Sequence, residues 1–391
     1  MNSQYSIIIA GAGGIAQAAG LLLSEWSTVS PNLFIGNRTL SKAQQVAHWI
    51  ETGTSKPCSI EAFHLQDEFT THMKEIFLQG NILLDCLPGT LAPKMALLAK
   101  EYSLHYVNLT EYVEETEEIM ALAKDASSGF ILQSGLAPGY INVLANHLFK
   151  QFCIDFKVEK VDKIEMKVGA LTDHAVAPHY YGFTWSPVGV ATEYLKDTIV
   201  LRNFKKHILP ALSERNTIII NGITYEDNLT SGGAADLPNA FAGKVRTLDY
   251  KTLRHPGHYT WVLKQISDKI NTNEPVNNLQ LLMEKQIPHI ENDQIVLYVA
   301  IEGKDLKNKL IRREITKHIR PQKVGKHVLR AIQTTTAAPL LQAAQLLLEN
   351  SISGIVLQSQ LDTEQFLNGN FVKSVFGKIL TTSPNSIMNR G

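Results

Sequence analysis

The feature that most constrains this chain is a glycine-rich turn close to its start, Gly11-Ala12-Gly13-Gly14-Ile15-Ala16. A short β-branched run, Tyr5 to Ala10, leads into it, and the Ala/Leu-rich stretch Ile15 to Trp26 follows it. The first reads as a strand buried on both faces, the second as a helix. Strand, Gly-x-Gly-x-x-Ala and helix in that order form a cradle for a dinucleotide pyrophosphate. Gly11 permits the tight turn, Gly13 lets the backbone approach the phosphates, and Ala16 keeps the helix close to the strand. The free N–H groups and positive dipole end of the helix make Gly14 and Ile15 candidate contacts as well.

Beyond the turn the pattern alternates. Residues 32–36, 59–64, 81–86, 105–107 and 130–133 read as strands, and 41–50, 91–102 and 113–126 as helices. Such alternation gives βαβ units and a parallel sheet. The expected class is therefore α/β, with a Rossmann doubly wound parallel sheet over residues 1–140.

After residue 135 the texture changes. Segments 161–169, 217–222 and 295–301 alternate like strands, while 172–190 and 228–260 are rich in Gly, Pro, His and aromatic residues and read as long loops. A second α+β mixed-sheet domain is expected over 141–333, for substrate and oligomer contacts. Thr334-Thr335-Thr336 opens the last piece, with a buried helix expected at 337–350. The C-terminal helical segment 334–391 is expected to return to the Rossmann domain.

Lysine plus arginine and aspartate plus glutamate both number 37, so no net field draws the chain to nucleic acid or an anionic membrane. A small molecule is the expected partner. Cys58, Cys86 and Cys153 are widely spaced and form no CxxC pair, which fits a reducing compartment. No His/Cys cluster has zinc-site spacing, so no metal is expected. The start lacks a basic leader and no apolar run is long enough to span a bilayer, so the expected location is cytoplasmic.

The end of the second strand bears on which dinucleotide binds. NAD enzymes usually place a carboxylate there for the ribose hydroxyls. This chain has Asn37-Arg38-Thr39, with no acid. Arg38 can pair with a 2′-phosphate, and Thr39 and Ser41 can hydrogen-bond it, which favours NADP over NAD. The plainer alternative makes Thr39 a helix cap and Arg38 a solvated charge, and both roles can hold together. The fourth strand ends in Cys86-Leu87-Pro88-Gly89, either a turn under the nicotinamide ribose or a simple strand terminator. Cys86 has no partnered His/Asn motif and reads as a packed or cofactor-adjacent thiol.

A second landmark is Gln133-Ser134-Gly135-Leu136-Ala137-Pro138-Gly139-Tyr140-Ile141-Asn142. This strand–GLxPG–helix sequence resembles the saccharopine dehydrogenase-like family, which includes saccharopine reductases and lysine 6-dehydrogenases. Three further segments are similar to family motifs, in the same order: Tyr181 to Gly189 (YGFTWSPVG), Tyr250 to His258 (YKTLRHPGH), and the Thr334 run. The resemblance implies a Rossmann domain, a middle domain carrying substrate and often dimer contacts, and a C-terminal segment returning to the first domain. Two departures stand out. Ala137 replaces the reductases' aspartate, and Val168-Gly169-Ala170-Leu171-Thr172 lacks their cysteine and proline. Ala137 followed by Asn142 looks more like the lysine 6-dehydrogenase branch. That branch is associated with NAD, whereas Asn37-Arg38-Thr39 points to NADP, so the substrate stays open.

The expected activity is an NAD(P)-dependent oxidoreductase acting on a C–N bond of an amino acid. The alternatives are a non-catalytic NADP(H)-binding sensor or scaffold, and a dehydrogenase of a hydroxy substrate. Removing a hydride beside nitrogen calls for a base or water path near that nitrogen. Glu111 and Tyr112, after the fifth strand, and His258 are the candidate catalytic groups. Arg254 is the candidate carboxylate clamp, with surface ion pairing its alternative. Trp185 and Phe183 are candidate walls, or plain core; His179, beside His174, is a candidate substrate contact, or a loop histidine. Gly135 is a candidate cofactor contact. A homodimer or higher homo-oligomer is expected, to cover the edges of an open sheet.

Overall fold

The computed structural model describes residues 4–269 and 273–379. The glycine-rich turn joins β1 (Ser6–Ala10) to α1 (Gly14–Trp26). The chain continues through β2 (Asn32–Asn37), α2 (Leu40–Gly53), β3 (Ser59–His64), α3 (Thr71–Gln79), β4 (Ile82–Asp85), α4 (Ala92–Glu101), β5 (His105–Asn108), α5 (Val113–Leu122) and β6 (Gly129–Ile131). These strands lie parallel in the order β3-β2-β1-β4-β5-β6. Ile7, Ile8, Ile9, Leu83 and Leu84 are wholly buried, as a sheet covered on both faces requires. The order reverses between β1 and β4, and there the carboxyl ends of the strands open a crevice.

Helix α6 (Tyr140–Phe156) leads to the second sheet, which begins with β7 (Val161–Thr172). After α7 (Pro187–Leu195) come β8 (Thr198–Arg202), β9 (Lys205–Leu209), β10 (Asn216–Ile220), β11 (Ile223–Leu229), α8 (Leu237–Ala240) and β12 (Val245–Arg254). Then follow α9 (His258–Lys269), α10 (Pro275–Gln286), β13 (Asp293–Lys304), β14 (Leu310–Ile319) and the small hairpin of β15 (Gln322–Val324) and β16 (His327–Leu329). The order is β10-β11-β12-β7-β13-β14, with β8 and β9 attached beside β12. β12 runs parallel to β7 while its other neighbours are antiparallel, so the sheet is mixed, as the strand patterns predicted.

The expected loop over 228–260 is corrected: a ten-residue strand, β12, runs through it. Its apolar alternation is hidden because Asp249 and Lys251 are themselves buried. Arg202 Nη1 lies 2.5 Å from Asp249, and Lys251 Nζ lies 3.2 Å from Asp227, which also holds Lys167. Ion pairing lets charged residues occupy strand positions that a pattern search assigns to surface turns.

A second correction concerns α11 (Ala331–Glu349), which begins six residues before the expected position 337. The Thr334 run lies inside its first turns, and the Thr335 hydroxyl donates back to the Ala331 carbonyl at 2.7 Å. The start is set by Asp293 on β13, whose carboxylate accepts the Ala331 and Ile332 N–H groups at 2.7 and 2.8 Å. No local pattern announces a cap so distant in sequence. Beyond α11, β17 (Gly354–Val356) pairs in parallel with β6, followed by α12 (Thr363–Leu367) and α13 (Asn370–Phe376). Side chains of β1, α1, α6, β7, β13 and α11 belong to one continuous apolar core, so both sheets share it.

The Gly135-to-Gly139 turn sits where β6 passes into α6. Tyr140 N–H donates to Gly135 O at 2.8 Å, and Gly135 N–H to Pro138 O at 2.9 Å. Asn142 Oδ1 accepts the Gly139 N–H at 2.7 Å, and its Nδ2 reaches Gly233 O at 3.0 Å. Gly139 has φ +131°, and a Cβ there would stand 2.0 Å from Gly135 O. Gly139→Ala is therefore expected to destabilise the fold by about 2 kcal/mol or more, read by denaturant unfolding. A variant as stable as the wild type would refute this account of the turn.

Candidate functional site

The crevice between the sheets holds a cavity of about 450 Å³. One wall is built from the carboxyl ends of the first sheet: Gly14 and Ile15 after β1, Cys86 to Gly89 after β4, Leu109 to Tyr112 after β5, and Gly135 to Pro138 after β6. The opposite wall comes from the second sheet, with Val168 and Ala170 of β7 and Tyr250, Thr252 and Arg254 of β12. Thr184 to Ser186, with Val188 and Glu193 of α7, close one side, and Arg330, with Gln333 and Thr336 of α11, another.

The end nearest β1 is suited to a dinucleotide. Gly11 has φ +123°, and a Cβ there would meet Cys86 O at 2.8 Å, so only glycine lets β1 and β4 run this close. A Cβ on Gly13 would meet nothing within 4 Å, so open space lies where phosphates must approach. The first N–H groups of α1 point into that space without intrahelical partners. Arg330 Nη2 lies 3.3 Å from where a Gly14 Cβ would stand, and Gln333 Nε2 donates to Gly14 O at 2.8 Å. A guanidinium and a helix N-terminus thus converge on one spot, a donor set that fits a pyrophosphate.

Asn37, Arg38 and Thr39 stand at the end of β2, outside the cavity and towards solvent. Asn37 Nδ2 donates to Thr39 O at 3.1 Å. Thr39 occupies the N-cap position of α2, but its hydroxyl makes no capping hydrogen bond. The Arg38 side chain is exposed and forms no ion pair among the described residues.

The Cys86–Gly89 turn is anchored from below by Asp85, which accepts from Leu87 N–H at 3.0 Å and Tyr106 Oη at 2.8 Å. Burial pushes the Asp85 carboxyl up to about 6, against the pull of these two donors. Burial, with Asp85 beside it, also holds the Cys86 thiol in its neutral form, the opposite of an activated nucleophile.

At the far end of the cavity three ionisable side chains meet, Arg254, Glu193 and Glu111. Arg254 is 1% exposed. Its Nε donates to Tyr194 Oη at 2.7 Å and its Nη1 to Leu253 O at 3.0 Å. Among the described residues neither Nη2 nor Glu193 Oε2 makes a hydrogen bond, and the two form a long ion pair at 3.9 Å. Burial pushes Glu193 up to about 8, with Glu111 adding to the rise and Arg254 opposing it. Glu111 is raised as well, by burial and by Glu115. Trp185 packs over Gly189 and contributes its indole to the wall.

The structure brings together Glu111, Tyr112, Trp185 and Arg254 with Gly14, Ile15, Cys86, Leu87, Pro88 and Gly135 around one cavity. Gly11 and Gly13 form the turn beneath it. Three candidates lie behind the wall: His258 and Phe183 are wholly buried and His179 is 7% exposed. Phe183 packs edge-on to Tyr181, and His179 Nδ1 accepts the Tyr181 N–H at 3.3 Å. His174 is exposed on the loop above. Sequence reasoning missed Glu193, Arg330, Gln333 and Thr336. Glu193 lies on α7, the helix that directly follows the aromatic motif of Trp185, and that position is its signal in the sequence.

Residues 7–132 match the saccharopine dehydrogenase NADP binding domain, and residues 135–373 match the saccharopine dehydrogenase C-terminal domain. Apo saccharopine dehydrogenase (L-Glu forming) from Saccharomyces cerevisiae superposes with a TM-score of 0.76 at 13% identity, over 95% of this chain and 97% of that one. The homospermidine synthase of Legionella pneumophila, solved in complex with NAD, superposes with a TM-score of 0.66 at 14% identity, over 100% of this chain and 94% of that one. At such identities the likeness is one of fold.

The raised Glu193 carboxyl has a measurable consequence. A folded-state value of about 8, above the ordinary carboxylate range, means the folded chain holds a proton that the unfolded chain releases. The stabilisation from that proton is complete at acid pH and is lost as pH rises through about 8. Glu193→Gln should remove this loss. Denaturant unfolding from pH 5 to 8.5 is expected to show the variant gaining stability relative to wild type as pH rises. A constant difference across that range would rule out the shift.

Proposed function

This chain belongs to the saccharopine dehydrogenase family, and we propose that it is an NADP-preferring dehydrogenase or reductase acting on a C–N bond of an amino acid. The observation that carries this reading is the buried Arg254 guanidinium at the wall of the cavity that also receives the glycine-rich turn, its Nη2 without a hydrogen bond and 3.9 Å from Glu193. A buried cation with an empty donor is matched by an anion, and a carboxylate is the anion an amino acid supplies. Glu111 and Glu193 offer two carboxylates to a substrate ammonium. Four charged residues line the cavity, and Arg330 is drawn to the Gly14 end. That leaves one cation for a substrate carboxylate and two acidic side chains, Glu111 and the largely protonated Glu193, to meet its amine.

Oxidising such an amine to an imine removes a hydride from carbon and a proton from nitrogen. A bound nicotinamide supplies the hydride acceptor. The chain's own part is to bind, orient and take the proton. Arg254 Nη2 fixes the carboxylate, and Trp185 walls off water. Glu193 Oε2, which makes no hydrogen bond among the described residues, accepts the proton in its ionised form, a form that grows as pH rises towards about 8.

NADP preference is supported by Arg38 and Thr39, whose side chains stay free at the end of β2 where NAD enzymes carry an acid. Cofactor titration of wild type and Arg38→Asp tests it. The variant should lose about tenfold or more in NADPH affinity while NADH affinity changes much less. Equal losses would refute the role. Turnover assays with lysine, saccharopine and related amines test the chemistry. NADPH binding without turnover on any amine, or activity confined to hydroxy acids, would overturn it.

A further inference from the structure

Behind Arg254, on the side away from the cavity, runs a chain of hydrogen bonds in which every proton has only one possible place. Arg254 Nε can only donate, and it meets Tyr194 Oη at 2.7 Å. The His179 carbonyl can only accept, and it meets His258 Nδ1 at 2.6 Å. In the neutral ring His258 Nδ1 therefore carries the proton, and Nε2 is left as an acceptor. Tyr194 Oη, 2.9 Å from Nε2, donates to it. The sequence Arg254 to Tyr194 to His258 to the His179 backbone is satisfied at every step by a single arrangement.

We infer that Tyr194 and His258 are positioning residues for Arg254, holding its guanidinium in the one orientation that leaves Nη2 for a ligand carboxylate. This rests on reading Arg254 as the carboxylate site. A guanidinium has five donors and a flexible stem, so an anchor is needed to keep Nη2 beside Glu193 at the cavity wall without a hydrogen bond of its own. Stacking completes the clamp, with Arg254 Cζ 4.6 Å from the Tyr181 ring centroid and 5.6 Å from that of Tyr194. His258 is 0% exposed, has both ring nitrogens engaged and does not line the cavity, so it cannot meet a substrate where it stands. Burial and the Arg254 charge push it down to about 3, so it remains neutral and the chain keeps its direction. The anchor ends on His179, in the same loop that brings Trp185 to the wall.

Nitrogen-15 NMR of histidine-labelled wild type tests the arrangement directly. His258 is expected as the neutral Nδ1–H form throughout pH 5 to 8. An Nε2–H form or an imidazolium would overturn the inference. Tyr194→Phe then removes only the bridging hydroxyl. With L-lysine as substrate, KM should rise about tenfold or more while kcat and NADPH affinity change little. With pentane-1,5-diamine, which lacks the carboxylate, KM should not move. An equal rise for both compounds, or a loss confined to kcat, would overturn the positioning role. The Arg254 Nε–H resonance decides the matter if lysine is not a substrate. It should exchange slowly in wild type and quickly in Tyr194→Phe, and unchanged exchange would sink the inference whatever the enzyme's substrate. If the variant does not fold, the histidine spectrum of the wild type decides alone.

Discussion

The burial of α11 between the two sheets is the constraint on which the cleft depends. Leu340, Leu341, Ala343, Ala344 and Leu347 are at most 1% exposed, and they face β-strands of both sheets through one core. Each buried leucine contributes about 1.5–3 kcal/mol, so the helix is strongly held. Its N-terminus holds Arg330, the residue before the helix, and Gln333 of its first turn over Gly14. The sheet that supplies the substrate wall is thereby locked to the sheet that supplies the glycine turn. Asp293 completes the join, because a residue of the second sheet caps the helix that packs on the first.

What could be read in the sequence was what is local. The glycine-rich turn is a short-range device, since its strand, its two close glycines and its helix all lie within about twenty residues. The parallel sheet followed from alternation with a period the eye can count. The strand β12 escaped because Asp249 and Lys251 satisfy their charges with Arg202 and Asp227, residues from elsewhere in the chain. The start of α11 escaped for the same reason, its cap lying on β13. Glu193 and Arg330 enter the site only through tertiary folding. His258, read as a reacting group from its motif, stands behind Arg254, because the motif's arginine and histidine fall on a strand end and the helix that follows.

The cleft also concentrates charges that the interior would otherwise reject. Arg254, Glu193 and Asp85 are each almost wholly buried. Asp85 is compensated by two donors and serves to hold a turn. Arg254 and Glu193 are compensated only in part, each keeping one atom that makes no hydrogen bond among the described residues. Buried polar atoms are nearly always hydrogen-bonded in native proteins, so two facing atoms without one, paired only at 3.9 Å, mark a place where stability yields to binding.

The strand β17 has a consequence for how the chain is made. It lies beside β6, yet more than two hundred residues and the whole second sheet separate them in sequence. During synthesis the dinucleotide-binding sheet must wait with its β6 edge uncovered until residue 356 has left the ribosome. The two halves recognised as separate domains by their sequence are thus a single unit in time, with the first completed last.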